Sequence, residues 1–312
     1  MKVSVITVCK NSAATIDKAI QSLVTQTYPN IEYIVIDGDS TDGTKEIINT
    51  YRDRITHLIS EPDRGIYAAM NKGVQLVTGD LLYFLNSDDY LFDPSVIQDI
   101  VQFFIDNPQY DFIYGDHEAR FNFGKSSIHK PAPPDQVLKE MVCLGECFIQ
   151  PASFFKAHLF QRLGLFNETY KIAADYEWFA RLLQDQTLQL GYTSRTIVSY
   201  AHGGASSHIR PLFEEVFAIQ NQVPLYQQPE WINQRLIELQ KSFIDKYDRL
   251  EKTHHLSQKR EQRIIYLESQ EDALQAQVSE LRSELEKLKS SHLIKRILRK
   301  IKHLTRGSST FS

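Results

Sequence analysis

VSVITVCKNSAATIDKAIQSLVTQTYPNIEYIVIDGDSTDGT, residues 3–44, is the stretch whose reading decides the fold. It opens with the β-branched run VSVITV and ends in a second apolar run, IEYIVIDG. Between them Ile16, Ala19, Ile20, Leu23 and Val24 recur at helical spacing. Short β-branched runs bounded by turn formers read as buried strands, and three-to-four spacing reads as an amphipathic helix, here from about Thr15 to Gln26.

The same alternation continues outward. A helix is expected from Thr44 to Tyr51, then the strand ITHLIS, a helix from Gly65 to Val77 and the strand LLYFLN. Strands alternating with helices imply right-handed crossovers and an α/β fold with a mostly parallel central sheet covered on both faces. In such sheets ligands bind where loops leave the carboxyl ends of the strands. Every polar cluster in this part of the chain falls at such an end: Cys9-Lys10-Asn11, Asp37 to Gly43, Glu61 to Gly65 and Asn86 to Asp89. Four loops on one rim describe a single site.

The last of these clusters, in LLYFLNSDDYLF (81–92), raises a chemical question. Adjacent carboxylates repel, and a turn into a helix capped by Asp93 needs only one of them. A hard divalent ion, Mg²⁺ or Mn²⁺, takes oxygen ligands and keeps a diphosphate as co-ligand, so Asp88 and Asp89 are candidates to hold one. The turn IDGDSTDGT offers Asp37 and Asp39 as acceptors for base or ribose donors. Beyond Asp111 the pattern loosens into the strand DFIYGD, the loop KPAPPD and a helix around Asp175 to Leu183, which Asp175 could cap.

Composition bounds the alternatives. A chain of 312 residues with 42% apolar content has enough material for a core and for one large or two modest domains. No apolar run approaches the ~18 residues of a membrane span, and the start lacks the zones of a secretory signal, so residence in the cytoplasm is expected. Cys9, Cys143 and Cys147 give no disulfide framework and no second pair to complete a zinc site; buried thiols are expected. A net charge of -4 argues against nucleic acid.

The C-terminal part differs. A boundary is expected between Pro211 and Trp231, after which Glu, Lys, Gln and Leu dominate. Ile264, Leu267, Leu274, Val278, Leu281, Leu285 and Leu288 follow a heptad broken only at Glu271, which predicts a coiled coil and homo-oligomerisation; a lone amphipathic helix is the alternative. From Lys287 onward no acidic residue occurs. There HLIKRILRKIKHL places Leu293, Ile294, Ile297, Leu298, Ile301 and Leu304 on one face with cations around the other, as in helices that bind anionic membrane surfaces. The expected division is 1–215 catalytic, 216–255 helical connector, 256–292 coiled coil and 293–312 basic amphipathic tail.

VSVITVCKNSAATIDKAIQSLVTQTYPNIEYIVIDGDSTDGT, SEPDRGIYAAMNKG, TGDLLYFLNSDD and AADYEWFARL, in this order over roughly residues 1–210, resemble the successive signatures of family 2 glycosyltransferases. The resemblance implies a GT-A fold and inverting transfer of a sugar from a nucleotide-diphospho-sugar, a UDP-sugar being commonest, to an acceptor hydroxyl. It implies a nucleotide-sugar site drawing on Thr7, Asn11, Asp37, Asp39, Asp63, Arg64, Asn71 and Asp88, a metal held by Asp89 and Asp88, and Asp175 as catalytic base. His202, in the glycine-rich AHGGASSH, could complete the metal site or touch the diphosphate. Ala68 and Ile149 stand where relatives often carry Asp and His, departures that bear on the acceptor side.

With the basic tail, this reading expects an enzyme peripheral on the inner face of the plasma membrane, acting on lipid-linked acceptors of surface polysaccharide or glycolipid assembly. Two other classes are weighed. A non-catalytic scaffold with a degenerate transferase fold, assembling through its coiled coil, has no need of Asp88, Asp89 and Asp175. A nucleotidyltransferase wants a glycine-rich, lysine-bearing phosphate loop near the N-terminus, and none is present.

Overall fold

The computed structural model describes residues 1–121, 124–144, 149–204, 209–290, 295–297 and 299–300, with backbone alone at 144, 209 and 288–290. The opening stretch forms β1 (Val3–Cys9), α1 (Ile16–Val24) and β2 (Ile31–Asp37), as its periodicity requires. The alternation continues through α2 (Thr44–Thr50), β3 (His57–Ser60), α3 (Ile66–Gln75) and β4 (Leu81–Phe84). These four strands are all parallel, in the order β3-β2-β1-β4. The register sets Cys9 beside Asp37 and Asp37 beside Ser60, so the strands deliver their following loops to one edge.

Beyond the parallel part the sheet is mixed. After β5 (Tyr90–Leu91) and α4 (Val96–Asp106), β6 (Phe112–Arg120) pairs with β7 (Ser126–His129). α5 (Pro134–Leu144) leads to β8 (Ser153–Lys156), which lies antiparallel between β4 and β6. α6 (His158–Leu163) and α7 (Ala174–Gln184) precede β9 (Leu190–Ala201), which runs parallel to β6 and antiparallel to β5. The looser pattern after Asp111 thus corresponds to strands whose partners are distant in sequence.

Strand alternation explains both cores. Val3, Val5 and Cys9 of β1, Tyr33 and Val35 of β2, and Leu81 and Tyr83 of β4 point to one face, where α1 and α4 contribute Ile16, Ile20, Leu23, Ile97, Ile100 and Phe104. Their neighbours Ile6, Val8, Ile34, Ile36, Leu82 and Phe84 point to the other face, toward Tyr67, Met70, Trp178, Phe179 and Leu182. There Trp178 stacks on Phe160 at 4.5 Å between ring centroids. Gly73 of α3 is a close-approach glycine: a Cβ there would stand 2.6 Å from Ile6.

Two helices follow, α8 (Ile209–Gln222) and α9 (Pro229–Ser290). Residue 215, the expected end of the first domain, lies inside α8, and Val216, Ile219 and Val223 are buried in the second core with Tyr226. The first compact unit spans Met1–Gln240 and the second Lys241–Ser312. In the second, Ile264, Leu267, Leu274, Val278, Leu281 and Leu285 are all exposed on the helix. Leu288 by its side chain, and Leu293, Ile294, Leu298, Ile301 and Leu304 altogether, lie outside the described residues. No helix among those described is long and apolar enough to cross a membrane. Cys9 and Cys143 are free and buried; Cys147 lies outside the described residues.

One polar cluster ties the sheet edge together. Glu32 is 2% exposed, and its carboxylate accepts from Lys2 Nζ (2.8 Å), Ser4 Oγ (2.5 Å) and Thr78 N (2.9 Å). Burial opposes its charge, but these donors outweigh it and lower the pKa from 4.5 to about 2. A depressed carboxyl pKa gives stability that is full above about pH 4.5 and lost as the pH falls through about 2. Glu32→Gln is therefore expected to cost about 2 kcal/mol in urea unfolding at pH 7. The difference from wild type should shrink steadily between pH 4.5 and pH 2.

Candidate active site

The loops after β1 and β2 are laced to each other. Asn11 adopts a left-handed φ of 52°; its N–H donates to Ser40 Oγ (2.7 Å) and its Oδ1 accepts from Thr41 N (2.9 Å). Asp37 is 0% exposed. Its carboxylate accepts from Ser40 N and Oγ and from Ser60 Oγ, the last at 2.6 Å. Asp39, also left-handed at φ 63°, instead projects from the rim and pairs with Lys45 Nζ at 2.5 Å. Thr7 is fully buried, its hydroxyl accepting from Tyr33 (3.1 Å). Of the four, Asn11 and Asp39 are presented at the surface, whereas Thr7 and Asp37 support it from beneath. Burial, then the charge of Asp37, push the Cys9 thiol pKa far up, so this cysteine stays protonated.

The loop before α3 carries Asp63, ion-paired with Lys72, and Arg64, whose side chain is 91% exposed and 3.9 Å from Glu168. Asn71 is buried and committed: it donates to Phe166 O (2.9 Å) and Glu168 Oε1 (3.1 Å) and accepts from Phe166 N (2.9 Å). It fastens α3 to the segment before α7.

After β4 the chain leaves the core at Asn86. Ser87 Oγ lies 2.9 Å from Ser12 Oγ, joining this loop to the one after β1. Asp89 is 1% exposed; it accepts from Ala201 N (2.7 Å) and Asn86 Nδ2 (3.1 Å). Burial first, then the Asp88 charge, raise its pKa from 3.8 to about 7. Burial likewise raises Asp88, and Arg120 approaches only its backbone, donating to Asp88 O at 2.6 Å. Among the described residues, Asn86 Oδ1 is buried with no hydrogen-bond partner. Two desolvated, mutually repelling carboxylates beside an orphaned amide oxygen form an oxygen-rich locus whose chemistry fits a hard divalent cation. Among the described residues no group of three or more His, Cys, Asp or Glu converges on such a site. His202 is exposed, its N–H bonded to Arg120 O (2.9 Å) and its ring 5.3 Å from that of Phe121.

The catalytic-base candidate approaches from the other half of the fold. Asp175, in the first turn of α7, accepts from Tyr67 Oη (2.9 Å) and Tyr176 N (2.9 Å). It does not cap its helix: the N-cap is Ala173, with no side-chain bond. Burial raises the Asp175 pKa against the lowering effect of Tyr67. Asp175 and Asp88 line one cleft of ≈ 350 Å³, walled by Tyr67, Gln150, Tyr200 and Val216. Thus Asp88 and Asp175 share one cavity, with Asp89 buried behind. Tyr67 went unremarked in the sequence, although it lies inside the quoted GIYAAMNKG; Arg120 carried no signal at all.

Residues 4–177 match the family described as Glycosyl transferase family 2. The chain belongs to this family, and it is a glycosyltransferase. It is 29% identical over 212 residues to a PGL/p-HBAD biosynthesis glycosyltransferase of Mycobacterium tuberculosis, covering 66% of this chain and 78% of that one. It is 32% identical over 180 residues to an uncharacterized glycosyltransferase of the same organism, covering 57% and 68%. Among solved structures, S. aureus TarS 1-349 in complex with UDP is similar with a TM-score of 0.58 at 20% identity, covering 78% of this chain and 72% of that one. The mannosyltransferase PcManGT from Pyrobaculum calidifontis, in complex with GDP-Man and Mn²⁺, is similar with a TM-score of 0.52 at 16% identity, covering 78% and 75%. The fold is accordingly GT-A, followed by the long helix α9.

The acidic locus has a measurable cost. Asp89 holds a proton more tightly when folded than unfolded, so the metal-free protein loses stability as the pH rises from 3.8 to about 7. Asp89→Asn removes that penalty, and Asn86 can turn its amide to suit the new side chain. In chelator, the melting temperature of the variant is expected to rise relative to wild type between pH 4 and pH 8, by the equivalent of roughly 2–4 kcal/mol. A pH-independent difference would contradict this account of Asp89.

Proposed function

We propose that the protein is a metal-dependent, inverting glycosyltransferase that moves a sugar from a nucleotide-diphospho-sugar, with a UDP-sugar favoured, to an acceptor hydroxyl. The observation that carries this reading is the shared cleft of Asp88 and Asp175 at the carboxyl end of the parallel strands. It is supported by relatives named as glycosyltransferases and by similar folds solved with UDP, UDP-GlcNAc, and GDP-Man with Mn²⁺.

In this reading Asp89 and Asp88 hold Mn²⁺ or Mg²⁺. Such an ion, when bound, supplies positive charge that offsets the negative charge growing on the leaving diphosphate. Asn11 and Asp39 meet the nucleoside, on surfaces braced by Thr7 and Asp37. Asp63, Arg64 and Asn71 act around the same donor, Asn71 by holding α3 in place. Asp175 takes the proton of the acceptor hydroxyl as its oxygen bonds the anomeric carbon and the bond to diphosphate breaks on the opposite face. Burial suits it to this task, because a raised carboxyl pKa makes a stronger base. His202 serves the metal or the diphosphate only if its loop brings the exposed ring inward.

The C-terminal part serves location in this reading. The exposed apolar stripe of α9 is the seam of a coiled coil over 256–292, which makes a homo-oligomer. The basic residues of 293–312 hold the enzyme on an anionic inner membrane face, where a lipid-linked acceptor is found. One mycobacterial relative is named as a PGL/p-HBAD biosynthesis glycosyltransferase, which agrees with a biosynthetic role.

Calorimetric titration with UDP, GDP and dTDP, each with and without Mn²⁺, tests the donor site. Binding of one nucleotide that depends on Mn²⁺ and is lost in Asp89→Ala is the expected result. Absence of any binding would favour a non-catalytic scaffold. Asp175→Asn is expected to bind the same nucleotide unchanged while lowering turnover about 10²–10⁴-fold. Deleting residues 290–312 should abolish sedimentation with anionic liposomes and leave donor hydrolysis intact; unchanged liposome binding would refute the anchoring role.

A further inference from the structure

Glu215 lies on α8, beyond the residues matched to the family, and takes no part in the chemistry described above. Its carboxylate nevertheless gathers three successive backbone donors at the entrance to α7. Lys171 N donates to Oε1 (2.8 Å), and Ile172 N and Ala173 N donate to Oε2 (2.9 Å each). Helix N-termini leave backbone N–H groups without partners, and a negative charge from another helix satisfies them while complementing the dipole. α7 has no side-chain cap at Ala173, and the three amides are those of the two residues before the helix and of its N-cap, so Glu215 anchors the approach to α7 and sets a negative charge at its N-terminus.

The segment so held leads directly to Asp175. Tyr67 Oη lies 2.7 Å from Ile172 O and 2.9 Å from Asp175 Oδ1, so one hydroxyl senses both the clamped backbone and the carboxylate. Tyr67, Ile172, Asp175 and Val216 also line the same cleft. We infer that Glu215 is a positioning residue for the catalytic base, fixing Asp175 through the 171–173 backbone and Tyr67, so that α8 is an integral part of the active site. This inference rests on the reading of Asp175 as base.

The electrostatics give the clamp a second effect. The groups that face Asp175 are Tyr67 from α3, its neighbour Tyr176 and Glu215 from α8, with Lys171 and Asp88 elsewhere on the cleft wall. The negative charge of Glu215 disfavours ionisation of Asp175, whereas the Tyr67 hydroxyl favours it. Removing each group is therefore expected to move Asp175 in opposite directions.

The test uses the full chain carrying Asp labelled with ¹³C at the carboxyl carbon, with Asp175→Asn to assign the resonance. The titration midpoint of Asp175 is expected to fall in Glu215→Gln and to rise in Tyr67→Phe. Nucleoside diphosphate release from UDP-glucose, UDP-GlcNAc and GDP-mannose with Mn²⁺ is measured on the same proteins. The accepted donor should show kcat about 10- to 100-fold lower in Glu215→Gln, KM little changed, and partial recovery in Glu215→Asp. Turnover unchanged in Glu215→Gln, or an Asp175 midpoint identical in all three proteins, overturns the inference. Full turnover in Asp175→Asn alongside the opposed midpoints would instead overturn the base assignment and leave the clamp standing.

Discussion

The parallel ladder that sets Cys9 beside Asp37 and Asp37 beside Ser60 is the constraint on which the site depends. Parallel strands can be joined only by crossovers, so every return runs over a face of the sheet and every functional loop leaves from the same edge. β4 continues the ladder through Ile6 and Phe84, and the Leu85 N–H still donates to Ile6 O before the chain turns out at Asn86. Asp88 and Asp89 thus reach the rim because the hydrophobic register of β4 ends there. The two buried faces, with alternate residues of each strand on either side, prevent a slip of one residue, which would turn every core side chain outward.

The carboxylates of the rim are treated unequally. Asp37 and Asp63 have internal partners, one in hydroxyl and amide donors, the other in Lys72. Asp88 and Asp89 are desolvated and have each other for a neighbour, and the Arg120 charge, bonded to the Asp88 backbone, relieves them only slightly. A fold gains nothing from that arrangement in the absence of a cation. Asp175 is a third case, held by Tyr67 and biased toward the protonated form by burial. Three environments give three chemical characters to one residue type: a turn organiser, a desolvated acidic pair and a buried carboxylate held by a tyrosine.

Much of the first half was legible because its information is local. The three-to-four spacing of Ile16, Ala19, Ile20 and Leu23, and the β-branched runs around them, describe elements whose burial follows from their own sequence. Even the acidic pair announced itself by interrupting a buried strand. The second half was harder to read because its pairings are long-range: β8 sits between β4 and β6, and β9 reaches back to β5. Glu215 shows the limit most plainly. On α8 it is one acidic residue in a polar stretch, and only the tertiary packing of Val216 and Ile219 brings its carboxylate to the 171–173 amides. Asp37 shows another long-range feature, since its carboxylate is met by Ser60 of β3 as well as by its own turn.

The central claim is that one cleft unites the cation locus at Asp88 and Asp89 with the base at Asp175. Paramagnetic broadening of the carboxyl ¹³C resonances by substoichiometric Mn²⁺, in the presence of UDP, tests it most directly. The account predicts that the Asp88 and Asp175 signals broaden together and that both stay sharp in Asp89→Ala. A sharp Asp175 resonance in a protein that has bound both Mn²⁺ and UDP would contradict it.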